Sequence, residues 1–159
     1  MAMIAAKIVP FLWFDDKAEE AVAFYTALFP ASRILTVARY GEAGPGIAGS
    51  VMTMEFELAG QRFIALNGGP YFHFTEAVSF SISCADQAEV DHYWYGLSAG
   101  GEEGQCGWLK DKFGLSWQVN PVILGELLSQ PDAEKAARVT KEMLSMKKID
   151  IARLQRAAE

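Results

Sequence analysis

The hydrophobic pattern begins with an apolar run, Lys7 to Phe14 (KIVPFLWF), which predicts a buried strand. Ala18, Ala21, Val22, Tyr25, Leu28 and Phe29 then recur at helical spacing. Asp16 and Glu19 stand at the capping-box interval, with Asp in place of Ser or Thr, and Pro30 ends the helix. Arg33–Tyr40 reads as a strand and is followed by a glycine-rich turn, GEAGPGIAG. In Val51–Leu58 the apolar residues alternate, placing Met52, Met54, Phe56 and Leu58 on one face. Gly60 turns the chain, and Arg62–Asn67 returns as the hairpin partner.

The same order then recurs. Val78–Cys84 (VSFSISC) predicts a strand, and Asp86 with Glu89 repeats the cap spacing. Val90, Tyr93, Trp94 and Leu97 form the stripe of a second helix, which Gly100-Gly101 ends. Glu102–Gln105 suits a short strand, and Cys106–Lys110 with Leu115–Asn120 form a hairpin around DKFG. An offset of 69 or 70 superposes the two series, which indicates a duplicated β-α-β-β-β unit. Beyond Pro121 the pattern is helical only. It predicts Val122–Leu128, a helix from Pro131 with Ala136, Val139, Thr140, Met143 and Leu144 inward, and a third capped by Asp150 with Ile151 and Leu154 inward. These helices are expected to pack on an outer face or on a partner subunit, away from any chemistry.

Composition narrows the class. At 159 residues and 51% apolar content, the chain can bury a sizeable core and is not disordered. No apolar stretch approaches the roughly 18 residues needed to cross a bilayer. MAMIAAKIVPF does not have the pattern of a secretory leader, so the expected location is cytoplasmic. A formal charge of −6 argues against a nucleic-acid surface. The basic tail positions Lys147, Lys148, Arg153 and Arg156 read as a solvated helix face. Cys84 and Cys106 belong to no CxxC pair and read as reduced, buried thiols.

Four segments carry a family resemblance: PFLWFDDKAEEAVAFYTALFP, GQRFIALNGGP, EAVSFSISCADQAEVDHYW and GGEEGQCGWLKDKFGLSWQVNP. Together they resemble the PhnB-like branch of the vicinal oxygen chelate (VOC) superfamily, the glyoxalase and dioxygenase fold. That branch carries the label "3-demethylubiquinone-9 3-methyltransferase domain". The resemblance spans about residues 7–121, and the tail MKKIDIARLQ fits as well. It implies an α+β fold with two βαβββ modules, about 7–68 and 78–121, and a C-terminal helical extension over 122–159. It also implies a homodimer and a cup that receives a small molecule. In metal-using members, four side chains from the first and fourth strands of the two modules, usually His, Gln or Glu, hold a divalent ion that chelates two substrate oxygens.

Strand parity tests that implication. Phe80, Ile82 and Cys84 are expected to pack on helices, leaving Ser79, Ser81 and Ser83 in the cup. By the offset, Leu12 and Phe14 face helices while Phe11 and Trp13 face the cup. Trp117 and Val119 take the core side, leaving Ser116, Gln118 and Asn120. Ile64 and Leu66 are assigned to the core, leaving Phe63, Ala65 and Asn67. Aligned on the superfamily, Gln118 takes one glutamate position and Ala65 falls at or near the other; the remaining ligands fall near Pro10 or Phe11 and near Ser79. Neutral amides and hydroxyls do not supply the charge that such an ion requires.

The candidate ligand contacts are therefore Trp13, Asn67, Ser79, Ser81, Trp108 and Gln118, with no cofactor expected. Two readings compete with simple ligand binding: a metal-dependent lyase, dioxygenase or thiol transferase, and a cup filled by its own side chains. Glu55 either lines the cup or faces solvent, and Glu57 faces solvent. His73, in the PYFHF linker, is placed near the mouth, while His92 is a surface residue. Lys110 and Asp111 belong to a structural turn. No histidine neighbours Cys106 in sequence, so it reads as a structural thiol. Methyl transfer from a nucleotide cofactor calls for a glycine-rich strand-to-helix turn, and both glycine clusters here lie between strands.

Overall fold

The computed structural model describes residues 6–159. The first five residues of the stretch tested for a leader lie outside the described residues. The chain divides into two compact units, one ending at His73 and the other running Phe74–Glu159.

The first unit contains β1 (Phe11–Phe14), α1 (Ala18–Leu28), β2 (Ser32–Arg39), β3 (Val51–Leu58) and β4 (Gln61–Asn67). Its sheet has the order β1-β4-β3-β2, with β1 parallel to β4 and the other pairs antiparallel. The helix packs on β3. Tyr25 of α1 stacks on Phe56 at 6.4 Å, and Phe56 stacks on Phe63 at 5.4 Å. Each such buried ring contributes on the order of 2–3 kcal/mol by leaving water.

Two expectations fail in this unit. Phe63 and Ala65 are the buried members of β4, and Ile64 and Leu66 are only partly covered, so its parity is the inverse of that expected. Register supplies the reason. Phe63 lies opposite Phe56, and Ala65 lies between Met54 and Leu12, all on the helix-facing side. In a strand whose positions 63–66 are all apolar, size alone did not reveal which set packs inward. The second failure is the cap of α1. Its N-cap residue is Lys17, without a side-chain cap bond, and the expected Asp16 cap does not form.

The second unit repeats the order with β5 (Ser79–Cys84), α2 (Gln87–Ser98), β6 (Glu102–Glu103), β7 (Trp108–Lys110) and β8 (Ser116–Pro121). The sheet order, β5-β8-β7-β6, matches the first with β5 parallel to β8. Here the predicted capping box forms. Asp86 accepts from the Glu89 N–H at 2.9 Å, and Glu89 accepts from the Ala85 N–H at 2.7 Å. Val90, Trp94 and Leu97 are fully buried over β7 and β8, where Leu109, Trp117 and Val119 complete the core.

The C-terminal helices α3 (Val122–Leu128), α4 (Ala133–Leu144) and α5 (Ile151–Ala157) belong to this second unit. They close a small core of their own around Leu124, Val139, Met146, Ile149 and Leu154. Asp132 and Asp150 cap α4 and α5. Leu144, expected inward, is 60% exposed, and Met146 from the following turn fills the core instead. Gln87 ties the extension to α2, donating to the Ile149 carbonyl at 3.0 Å and accepting from the Ile151 N–H at 2.9 Å.

Candidate ligand-binding site

Four of the six candidate residues come together on one face of the second sheet, the face turned away from α2. Trp108 lies in register with Gln118, and Ser81 lies in register with Gln118 on its other side. Gln118 Nε2 donates to Ser79 Oγ at 2.9 Å, and Asn120 Nδ2 donates to Ser81 Oγ at 2.9 Å. A longer contact of 3.4 Å from Asn120 Nδ2 to Gln118 Oε1 joins the two pairs. Alternation dictates the arrangement. Trp117 and Val119 are taken by the core, so Ser116, Gln118 and Asn120 must share the opposite face.

Gln118 and Asn120 of this strip form the floor of a cleft of roughly 380 Å³, bordered also by Cys106 and Trp108, with Ser79 and Ser81 bonded behind them. Leu124, Leu128 and Met143 of the extension form its far side. No carboxylate, imidazole or ammonium lines it. The floor is not saturated. Gln118 keeps a second amide hydrogen, Asn120 keeps its carbonyl, and both serines keep a hydroxyl hydrogen. Along the same face, Ser116 Oγ is buried with no hydrogen-bond partner. Such a floor can orient a polar group and strip it of water; the lining supplies no evident general base.

The other two candidates lie in the first unit and are already engaged. Trp13 donates its indole N–H to the Gly69 carbonyl at 2.8 Å and meets Phe72 edge-on at 4.8 Å. Gly68 is required there, because a Cβ would sit 2.3 Å from the Trp13 ring. Asn67 corrects the expectation more sharply. It pairs with Phe14 on the helix-facing side, and its Oδ1 accepts the Ala18 N–H at 2.8 Å. Its Nδ2 donates to Glu19 at 2.7 Å and to the Val51 carbonyl at 3.1 Å. Asn67 is therefore the borrowed cap of α1, a role that follows from the inverted parity of β4.

The remaining polar candidates take structural or surface positions. Glu55 pairs with Arg62, and Glu57 lies 3.5 Å from Arg33. His73 and His92 are exposed. Asp111 is 2% exposed and accepts from the Phe113 N–H at 2.8 Å, the Leu115 N–H at 3.1 Å and the Trp117 indole at 2.9 Å. It holds the β7–β8 turn. Lys110 bonds Glu76, which raises the lysine and lowers the carboxyl from their ordinary values. Burial, then Glu89 and Asp86, push the Cys84 thiol up to about 12, so it is inert at neutral pH. Cys106 departs from the buried-thiol expectation: it is half-buried and lines the cleft.

Of the cleft's lining only Trp108 and Gln118 were in the candidate set; the apolar side chains of its far side, Leu124, Leu128 and Met143, were not. Their signal was present as an i, i+4 apolar pair in α3 and an inward position in α4, but sequence spacing does not reveal which neighbour a helix packs against.

The donor set does not fit a superfamily metal. Among the described residues, no three of His, Cys, Asp and Glu converge. The non-helix face of the first sheet carries Phe11, Trp13, Ile64 and Leu66 with Glu55 and Glu57 of β3, whose carboxylates pair with Arg62 and Arg33, and that of the second carries the hydroxyls and amides of Ser79, Ser81, Gln118 and Asn120. With the carboxylates engaged by arginines, the remaining hydroxyls and amides lack the charge or strong nitrogen donors that hold a divalent ion. An S-adenosylmethionine-type nucleotide fits no better. Of the three described strand-to-helix junctions, Asp15–Lys17 and Ala85–Asp86 contain acids and no glycine, and β8 runs straight into α3 at Pro121–Val122.

The fold is widely shared. A Bacillus cereus PhnB protein, by name a 3-demethylubiquinone-9 3-methyltransferase, is 38% identical with a TM-score of 0.68; the match covers 74% of this chain and 100% of that one. Protein PA1353 from Pseudomonas aeruginosa is 22% identical with a TM-score of 0.61, covering 74% of this chain and 98% of that one. The fosfomycin resistance protein FosX from Listeria monocytogenes shares the fold at 18% identity and a TM-score of 0.57, covering 80% of this chain and 100% of its own. No curated protein matches. The profile of the 3-demethylubiquinone-9 3-methyltransferase family matches residues 6–120. On that match, and on the duplicated βαβββ architecture, the chain belongs to this PhnB-like family of the VOC fold.

Proposed function

We propose that the protein binds a small organic molecule on the polar face of its second sheet, without a superfamily-type metal ion. The observation that carries this reading is the Ser79–Gln118 and Ser81–Asn120 pairing beside Trp108, an ordered, uncharged strip with hydrogen-bonding capacity to spare, whose two amides line a cleft. Ordered polar groups flanked by an aromatic wall are the usual make-up of a small-molecule site. The family name supplies a methyl-transfer label, but the acid-bearing, glycine-free turns give that activity no support. The reading also takes the protein as a cytoplasmic homodimer. No described helix is long and apolar enough to cross a membrane. Edge strands β1 and β2 expose Phe11, Ile34 and Val37, positions that a second copy would cover.

A small-molecule library read by tryptophan fluorescence and thermal shift tests the proposal. A binder should lose about tenfold affinity in Gln118→Ala, the weight of one lost hydrogen bond. It should be indifferent to chelator, and the purified protein should carry less than stoichiometric metal by elemental analysis. Stoichiometric metal that disappears in Gln118→Ala would instead favour the metal-dependent enzyme.

A further inference from the structure

The family match ends at residue 120, where α3 is about to begin, so the helices bordering the cleft lie beyond it. We propose that this extension sets the ligand class: α3 and α4 form an apolar wall for the short hydrocarbon body of an uncharged molecule, whose amide or hydroxyl head is held by Gln118 and Asn120. The inference rests on the binding reading above and deepens it.

Three observations carry it. The first is the cleft's polarity. Its floor offers one amide N–H and one carbonyl, complementary to a group that both donates and accepts, while Leu124, Leu128 and Met143 offer only hydrocarbon. A charged head would be desolvated there with no counter-charge on the lining.

The second is that the extension is anchored at the cleft itself. The Cys106 N–H donates to the Met146 carbonyl at 2.9 Å, and the Gly107 N–H donates to the Lys147 carbonyl at 2.8 Å. Cys106 is held at φ 56, a left-handed conformation that is costly for a side chain with a Cβ. Gly107, also left-handed, lies where a Cβ would come within 2.9 Å of the Val119 carbonyl. The start of β7 is thus bent to meet the α4–α5 turn, fixing wall and floor to each other.

The third is Gly125. Glycine weakens a helix, and here no close approach demands it, since an added Cβ would meet nothing within 4 Å. The residue lines the cleft, and its effect is to leave space in the wall.

The test uses the full-length protein and the n-alkyl carboxamides from butanamide to decanamide, with the matching carboxylates, followed by calorimetry and by ligand-observed NMR for the weakest. Carboxamide affinity should rise about fourfold per methylene until the wall is covered, and each carboxylate should bind at least tenfold more weakly. Gly125→Leu should fold normally and flatten the length dependence, the longest carboxamides losing the most affinity. Leu128→Ala should shallow the same slope by enlarging the space, and serves as the second variant. Gln118→Leu should weaken the whole series equally. An unchanged slope in both wall variants, or carboxylates equal to carboxamides, overturns the inference while the loss in Gln118→Leu keeps the binding site. Binding untouched by Gln118→Leu overturns both.

Discussion

The two units share a topology, yet matching positions carry opposite chemistry. Register equates Phe11 and Ile64 of the first sheet with Ser81 and Gln118 of the second, and Trp13 and Leu66 with Ser83 and Asn120. At these β1–β4 and β5–β8 positions one outer face is therefore hydrocarbon and the other hydroxyl and amide, on the same strand register. The helix caps diverge too. Asp16 and Glu19 sit 70 residues before Asp86 and Glu89, yet only the second pair forms a capping box. In the first unit Asn67, at the end of β4, reaches the Ala18 N–H and draws Glu19 toward its own amide. The matching residue of β8 is Pro121, which has no side-chain acceptor, so α2 depends on its own Asp86. A duplicated fold thus preserves the backbone and reassigns polar roles one side chain at a time.

The largest effect is expected at the second hairpins. The first unit turns on Ala59 and Gly60, both left-handed, and needs no side chain to do so. The second relies on the buried Asp111 carboxylate. Asp111→Ala leaves two backbone N–H groups and an indole N–H without their acceptor, and should cost about 3 kcal/mol in urea unfolding. A loss below about 1 kcal/mol would show that the DKFG turn closes by backbone preference alone, as in the first unit.

The next is a transplant. Gln118→Ile with Asn120→Leu installs the first sheet's residues on the second. If face chemistry alone separates the units, stability should stay within about 1 kcal/mol, while affinity for any ligand found should fall roughly a hundredfold as both polar contacts are lost. Retained binding would move the site elsewhere. The caps give the third comparison. Asn67→Ala should cost about 2 kcal/mol, because a helix N–H and the Val51 carbonyl both lose partners. Asp86→Ala should cost about 1 kcal/mol and Asp16→Ala close to none, measured by the same denaturation.

Much of this was legible in the sequence. Element order, the duplication and the helix stripes follow from the apolar pattern, the parity of β5 and β8 from alternation where polar or small residues separate the faces, and that of the all-apolar β1 only from its 70-residue offset to β5. That alternation placed Ser79, Ser81 and Gln118 on one face. In β4, where Phe63 to Leu66 are all apolar, alternation carries no sign, and the error placed Asn67 on the wrong face. The capping intervals at Asp16 and Asp86 were equally clear; a tertiary competitor 49 residues from Ala18 decided between them. The wall formed by Leu124, Leu128 and Met143 was hidden for a related reason. A helix stripe shows that a face is buried without naming what covers it.

The smallest expected effect concerns the clip that only the second unit possesses. Lys148, in the α4–α5 turn, bonds Asp91 of α2 at 2.6 Å and Tyr95 OH at 3.1 Å. Asp91 is lowered from 3.8, chiefly by the Lys148 hydrogen bond and then by that from Gln87. Lys148 is raised from 10.5: burial opposes its charge, but bonds to Asp91 and Tyr95 outweigh that. The signs give a window. A lowered carboxyl stabilises above its ordinary value and loses that contribution as pH falls through the lowered one. A raised ammonium stabilises below its ordinary value and loses that contribution as pH rises through the raised one. The clip should hold between about pH 4 and 10 and loosen outside. Its partial exposure and salt screening keep it below about 1 kcal/mol. Amide exchange should therefore quicken in α5 at low pH, in Lys148→Met and in high salt, while α1 is unmoved. Equal quickening of α1 would mean that acid loosens both units through a common transition and that the clip adds nothing of its own.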